Sequence, residues 1–157
     1  LMEWEIALGY ALVGATAGLI VGAGVLGIAW AFVPLTFANA WMVAAVAPLA
    51  ALAFAFLGTV TGLWAQKWDQ LSVVDTFLML PLAFLSGAFF ALDRVPDVGE
   101  TLIRLNPVTY AIDAVRYGVS GWHATQPWLA IAVVATLALV AASLSLRLFS
   151  IGWKIKA

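Results

Sequence analysis

An all-α, polytopic membrane protein is the fold class that this sequence predicts. From Ile6 to Gln66 the chain has no Asp, Glu, Lys, Arg or His. A transmembrane helix needs only about 20 apolar residues, so this run holds two spans and a turn. The composition agrees, because 65% of the residues are hydrophobic, 10% are charged and the mean hydropathy is +1.07. These values are far from those of soluble domains.

Tryptophan positions support the same fold class, because indole prefers the interface between lipid headgroups and hydrocarbon. All eight tryptophans fall at or near a predicted span end: Trp4, Trp30, Trp41, Trp64, Trp68, Trp122, Trp128 and Trp153. The sequence therefore predicts a single transmembrane domain over residues 1–157, with four spans at about 6–33, 41–64, 74–92 and 128–149.

The first two spans are separated by the turn cluster from Pro34 to Asn39. Both contain glycines at helical spacing, namely Gly14, Gly18, Gly22, Gly58 and Gly62. Small residues at this spacing let helix backbones approach closely in lipid. We expect them to serve packing within the bundle more than a dimer seam.

The third predicted span has two irregular features. Asp75 lies near its start, and we interpret this residue as a helix cap, with contact to a partner as the alternative. Pro81 can kink the span, although neighbouring helices often absorb such a break.

The segment at about 93–121 is too charged to lie in lipid and too apolar to be a solvated loop. Asn106 and Pro107 predict a helix start, because Asn caps free amides and Pro is favoured at the first helical position. We expect this helix to end in a left-handed turn at Gly118. Asp113 and Arg116 are three residues apart and are predicted to form an ion pair.

A second short amphipathic helix is predicted just before, from Pro96 to Leu105, with Glu100 and Arg104 at ion-pair spacing. The two short helices are expected to lie folded on the outer membrane face, between the third and fourth spans.

Basic residues near span ends indicate orientation, because cytoplasmic flanks retain Lys and Arg. One side carries Lys67, Arg147, Lys154 and Lys156, and the other carries Arg94, Arg104 and Arg116. The three arginines lie in a structured segment rather than as bare flanking charges. We therefore predict that both termini of this segment are cytoplasmic.

Several functions are disfavoured by composition. The few basic residues are scattered, so the sequence predicts no nucleic-acid partner. With no cysteine and one histidine, nearly all zinc and haem sites are excluded. No G-x-x-x-x-G-K-[ST] phosphate loop is present, so ATP is not expected to be hydrolysed on this chain. An intramembrane hydrolase using Ser86 and His123 is the rival, but His123 is interpreted as a surface loop residue, far from Ser86.

Four sequence motifs occur in a characteristic order along the chain. The pieces are WEIALGY from Trp4 to Tyr10, FLSGAFF from Phe84 to Phe90, Pro96, and LNPVTYAIDAVR from Leu105 to Arg116. In this order and spacing they resemble the membrane subunit of ABC transporters of the type-2 exporter class. The resemblance covers nearly the whole chain.

In that family the subunit has an amphipathic interface helix and six spans, and two copies pair above two ATPase subunits. The resemblance implies that this chain corresponds to spans three to six, as a fragment without the interface helix and the first two spans. It also implies a partner ATPase that carries ATP and Mg, so no cofactor is expected on this chain. A second permease copy is expected to complete a homodimer or a pseudo-dimer.

Three groups of site residues follow from the resemblance and from the residues themselves. Trp4 and Glu5 are expected to contact the ATPase. Phe84, Ser86, Phe89 and Phe90 are expected to line a translocation path, with lipid contact or bundle packing as the alternative for the phenylalanines. Asn106, Pro107, Tyr110, Asp113 and Arg116 are expected to form an outer gate or a brace, and for Asp113 and Arg116 we favour the brace.

The predicted function is that of a non-enzymatic permease subunit of an ATP-driven exporter in the plasma membrane, with a bacterial inner membrane favoured. Its substrate is expected to be an amphipathic drug, a lipid-linked molecule or an oligosaccharide. The alternative is a non-transport integral membrane protein, either an intramembrane hydrolase or a structural assembly subunit.

Overall fold

The computed structural model describes residues 2–87 and 97–151, and all regular secondary structure in these residues is helical. The elements are α1 (Glu3–Phe32), α2 (Ala40–Trp64), α3 (Trp68–Val74), a π-helical turn (Asp75–Met79), α4 (Leu80–Phe84), α5 (Asp97–Leu105), α6 (Pro107–Ser120) and α7 (Pro127–Ser150). The all-α prediction is confirmed.

Three helices of the described residues are long and apolar enough to cross a membrane: Trp4–Phe32, Ala40–Trp64 and Pro127–Ser150. They match the first, second and fourth predicted spans to within a few residues. The third predicted span, 74–92, runs past the end of α4 into residues that are not described, so its crossing stays a prediction.

The long helices pack through small side chains. A buried cluster of Ala11, Phe56 and Ala141 joins α1, α2 and α7. A Cβ built on Gly14 would lie 3.1 Å from the Cβ of Ala55, so the backbones of α1 and α2 approach closely there. Bundle packing is thus confirmed for this glycine.

The other four glycines at helical spacing, in α1 and α2, differ from Gly14. A Cβ on Gly18 would be 4.0 Å from Ala51, whereas Gly22, Gly58 and Gly62 have no heavy atom within 4 Å of the corresponding position. They line an open apolar groove of about 1480 Å³, formed mainly by α1 and α2.

A second buried cluster joins α2, α6 and α7: Met42, Val46, Ala111, Ala114, Ala130 and Val134. Leu49 and Ala50 of α2 also pack against it. The contacts therefore extend from the start of α2 along about ten residues, or roughly 15 Å at 1.5 Å per residue. Helix α6 is an integral part of the bundle's packing at the end where α2 and α7 begin.

Helix α3, the π turn and α4 follow one another directly, and we call this helical segment from Trp68 to Phe84 the arm. None of its residues is buried. In the π turn the Leu80 N–H donates to the carbonyl of Asp75. Pro81 follows immediately, so the change of helical register lies where an N–H is missing.

The interpretation of Asp75 as a helix cap is wrong. The helix begins at Trp68, after Lys67, and Asp75 lies well inside it, at the start of the π turn. The helical backbone continues through polar residues such as Asp69 because its own hydrogen bonds are made.

Candidate functional site

The N-terminus of α6 is built on Asn106, whose side chain is 3% exposed. Its Oδ1 accepts from the N–H of Val108 at 3.0 Å, which confirms the predicted cap. Its Nδ2 donates to the carbonyl of Leu82 at 2.6 Å. One amide therefore caps the start of α6 and also satisfies a carbonyl in the last turn of α4.

The end of α5 is closed by two side chains from α6. The Thr109 hydroxyl donates to the Ile103 carbonyl at 2.8 Å, and the Tyr110 hydroxyl donates to the Arg104 carbonyl at 2.8 Å. Carbonyls in the last turn of a helix have no partner within the helix, so these bonds fix α5 against α6. The predicted ion pair of Glu100 and Arg104 is confirmed, with an N···O distance of 2.7 Å.

Asp113 is 4% exposed and holds the connection between α6 and α7. Its carboxylate accepts from the N–H of Ala124 at 2.9 Å and from the N–H of Thr125 at 2.7 Å. It also accepts from the Thr125 hydroxyl at 2.6 Å. A buried carboxylate needs such donors to offset its loss of water.

Arg116 has different partners. Its Nη2 donates to the carbonyl of Gly87 at 3.1 Å, and its guanidinium carbon lies 5.5 Å from the ring centroid of Trp122. The predicted ion pair between Asp113 and Arg116 is therefore wrong. Asp113 turns toward the start of α7 and Arg116 turns toward the end of α4, because the donors and acceptors on those two segments are nearer than the other side chain.

The C-terminus of α6 also differs from the prediction. The helix continues through Gly118 to Ser120, and the left-handed residue is Gly121, with φ of 76°. Gly118 is needed instead for a close approach, because its carbonyl accepts from the N–H of Asn39 at 2.9 Å. A Cβ at this position would overlap the Cγ2 of Val43.

The predicted path residues are only partly described. Phe84 is 50% exposed at the end of α4, whereas Ser86 is buried and its hydroxyl donates to the carbonyl of Ala83. Phe89 and Phe90 lie outside the described residues. The translocation path stays a prediction.

At the start of α1, the Glu5 carboxylate accepts from the N–H of Met2 at 2.8 Å, and Trp4 is 50% exposed. Their role in ATPase contact stays a prediction. His123 is exposed, as predicted, and its ring makes an edge contact with Tyr117 at 5.2 Å between centroids.

Sequence reasoning missed the partners of α6 on other segments: the carbonyls of Leu82 and Gly87, the ring of Trp122, and Thr125. The other buried residues of α6 are small or weakly polar: Thr109, Ala111, Ala114 and Gly118. At about 100° per residue they are spread around more than half of the helix, so no one-sided pattern in the sequence marked Asp113 as buried.

Replacing Asn106 with alanine removes both caps at once. We expect the loss to destabilise the protein by about 2 kcal/mol, because an N-cap is worth about 1 kcal/mol and the Leu82 carbonyl loses a further bond. The measurement is the melting temperature of the purified protein in detergent. Asn106→Ser is the comparison variant, since serine keeps a neutral N-cap acceptor but lacks the amide that donates to Leu82, and we expect it to lose less stability than Asn106→Ala. A melting temperature for Asn106→Ala equal to the unmodified protein would contradict the double cap.

These features define a class of protein: a multi-pass, all-helical membrane protein whose short helices are joined by side-chain hydrogen bonds to one another and to the connection before α7. The chain belongs to the ABC-2 type transporter family, whose model matches residues 3–120. That match covers α1 to α6 and so includes every residue of the network around α6 except the Trp122 and Ala124–Thr125 contacts.

Individual relatives agree. The chain is 37% identical over 113 residues to the inner membrane transport permease YadH of Escherichia coli (strain K12), covering 72% of this chain and 44% of that protein. It is 34% identical over 112 residues to nodulation protein J of Rhizobium leguminosarum bv. trifolii, covering 71% and 43%. The chain thus spans less than half the length of these relatives. No solved structure matches it.

Proposed function

We propose that this chain forms part of a permease subunit of an ATP-driven exporter. The observation that carries the proposal is the match to the ABC-2 type transporter family over residues 3–120. The name of the Escherichia coli relative, an inner membrane transport permease, supports transport across a bacterial inner membrane. The long apolar helices supply the membrane-spanning part that such a role requires.

The energy source in this proposal is a separate ATPase subunit, since the sequence contains no phosphate loop. Nucleotide and Mg bind that partner, and a second permease copy completes the path. ATPase closure pushes on the segment around Trp4 and Glu5, and the spans reorient about a central route. The substrate is an amphipathic drug, a lipid-linked molecule or an oligosaccharide.

The remaining residues have two roles in this mechanism. Phe84, Ser86, Phe89 and Phe90 line the route for the substrate. Asn106, Pro107, Tyr110, Asp113 and Arg116 brace the outer face, with both termini of this segment in the cytoplasm. The hydrogen bonds of Asn106, Tyr110 and Asp113 to neighbouring segments support a brace more than a gate.

The first test is purification of the complete permease from its native host with a tag at the C-terminus. We expect a nucleotide-binding ATPase to co-purify and its ATP hydrolysis to increase in the complex. A permease that purifies alone and supports no ATP-dependent uptake of substrate into inside-out vesicles would contradict the proposed function.

Glu5→Lys tests the coupling contact. A reversed charge at a protein interface costs more than in free solvent, so we expect ATP-driven export to fall about tenfold or more with normal membrane insertion. Glu5→Gln is the control, because it keeps an acceptor for the Met2 N–H without reversing the charge. Export by Glu5→Lys equal to that of Glu5→Gln would remove Glu5 from the coupling contact.

A further inference from the structure

We propose that Asn106 and Arg116 form a polar latch on the far end of the arm, and that the arm moves as a separate body when this latch opens. The bundle in this inference consists of α1, α2, α6 and α7.

The arm and the bundle are held in different ways. Helices α2, α6 and α7 share a buried apolar cluster that includes Met42, Ala114 and Val134. No residue of the arm is buried, and Phe77 and Leu80 are 76% and 52% exposed. In lipid, helices associate through close side-chain packing and interhelical hydrogen bonds, and the buried cluster supplies such packing among α2, α6 and α7 but includes no residue of the arm.

The arm contains a site at which a helix bends readily. The π turn from Asp75 to Met79 lies directly before Pro81. Helices kink at prolines and at π turns because the regular ladder of hydrogen bonds is interrupted there. The near end of the arm joins α2 through the short link from Ala65 to Lys67, so motion about the π turn displaces mainly the far end.

The latch closes on two carbonyls at that far end. Just beyond the arm, the N–H of Leu85 donates to the carbonyl of Pro81 and the N–H of Ser86 donates to the carbonyl of Ala83. The Leu82 carbonyl instead accepts from the Asn106 side chain.

The second carbonyl belongs to Gly87, which lies three residues beyond the arm, is buried and has a left-handed conformation with φ of 72°; it accepts from Arg116. A hydrogen bond from a charged guanidinium to a carbonyl oxygen is stronger than one between neutral groups. Trp122 lies 5.5 Å from the guanidinium carbon, on the side of the connection that leads to α7. Its ring holds the cation in place when the Gly87 bond is made.

Two side-chain bonds can open without unfolding the bundle. Local opening of such a segment requires far less free energy than global unfolding. Asp113 is not part of the latch, because its hydrogen bonds join α6 to the connection that leads to α7 and none of them reaches the arm. The latch and the Asp113 contacts are therefore separable by substitution.

The test is hydrogen–deuterium exchange of the complete permease in lipid nanodiscs, without nucleotide. For Arg116→Ala we expect amides in residues 76–87 to exchange about tenfold faster, and amides in residues 42–50 and 130–141 to be unchanged. Arg116→Lys is expected to restore part of the protection, because an ammonium can donate to one carbonyl but lacks the planar face that stacks on Trp122.

Glu100→Gln serves as the control, since it removes the exposed pair with Arg104 on the same side of the bundle without touching the arm. Unchanged exchange in residues 76–87 of Arg116→Ala would overturn the latch. Equal acceleration in the arm and in residues 42–50 would also overturn it, because Arg116 would then stabilise the whole bundle. Loss of export alone is not a criterion, so the latch and the proposed function can fail separately.

Discussion

Replacing Gly118 with alanine is expected to destabilise the protein by about 3 kcal/mol, because overpacking at a rigid contact forces a backbone shift. The added Cβ would overlap the Cγ2 of Val43, and it would also lie 3.1 Å from the Val43 nitrogen and 3.2 Å from the Asn39 oxygen. Backbone atoms cannot rotate out of the way, and the side chain of Val43 is restricted by its branch at Cβ. Helix α6 must then move away from α2.

The measurement is the detergent melting temperature, compared with Gly62→Ala in α2. Gly62 has no heavy atom within 4 Å of a built Cβ, so alanine is accommodated there and favours the helix by up to about 1 kcal/mol. We expect a clear decrease for Gly118→Ala and none for Gly62→Ala. Equal melting temperatures for the two variants would contradict the close approach of α6 to α2.

Replacing Asp113 with asparagine is expected to destabilise the protein by about 2–4 kcal/mol, because bonds to an ionised group are stronger than neutral ones and a misplaced donor leaves buried groups unpaired. The carboxylate accepts from two backbone N–H groups and one hydroxyl. Asparagine offers one acceptor oxygen and turns an NH₂ group toward some of these donors.

Two measurements separate a brace from a gate at this position: export rate at matched expression, and detergent melting temperature. A brace lowers both in Asp113→Asn, whereas a gate lowers export alone. Glu100→Gln is the control, since an exposed pair is worth under about 1 kcal/mol. If Asp113→Asn melts like Glu100→Gln and exports normally, the buried network contributes to neither stability nor transport.

The contrast between Asp113 and Glu100 shows where sequence reasoning succeeds. The pair of Glu100 and Arg104, and the cap from Asn106 to Val108, both join residues within four positions on one helix. Their geometry follows from the helical repeat alone. Asp113 and Arg116 have the same helical spacing, but each binds partners on another segment instead. No rule based on spacing along one helix predicts whether a side chain will prefer a partner on its own helix or one on a distant segment.

Hydropathy by itself determined the long apolar helices α1, α2 and α7, because the cost of placing charge in lipid restricts where a span can lie. Tertiary structure alone decided the close approach of Gly118 to Val43 and the pairing of Asn106 and Arg116 with Leu82 and Gly87. Each of these depends on how closely two distant segments approach. The packing of the whole bundle sets that distance, and the spacing of residues along one segment does not specify it.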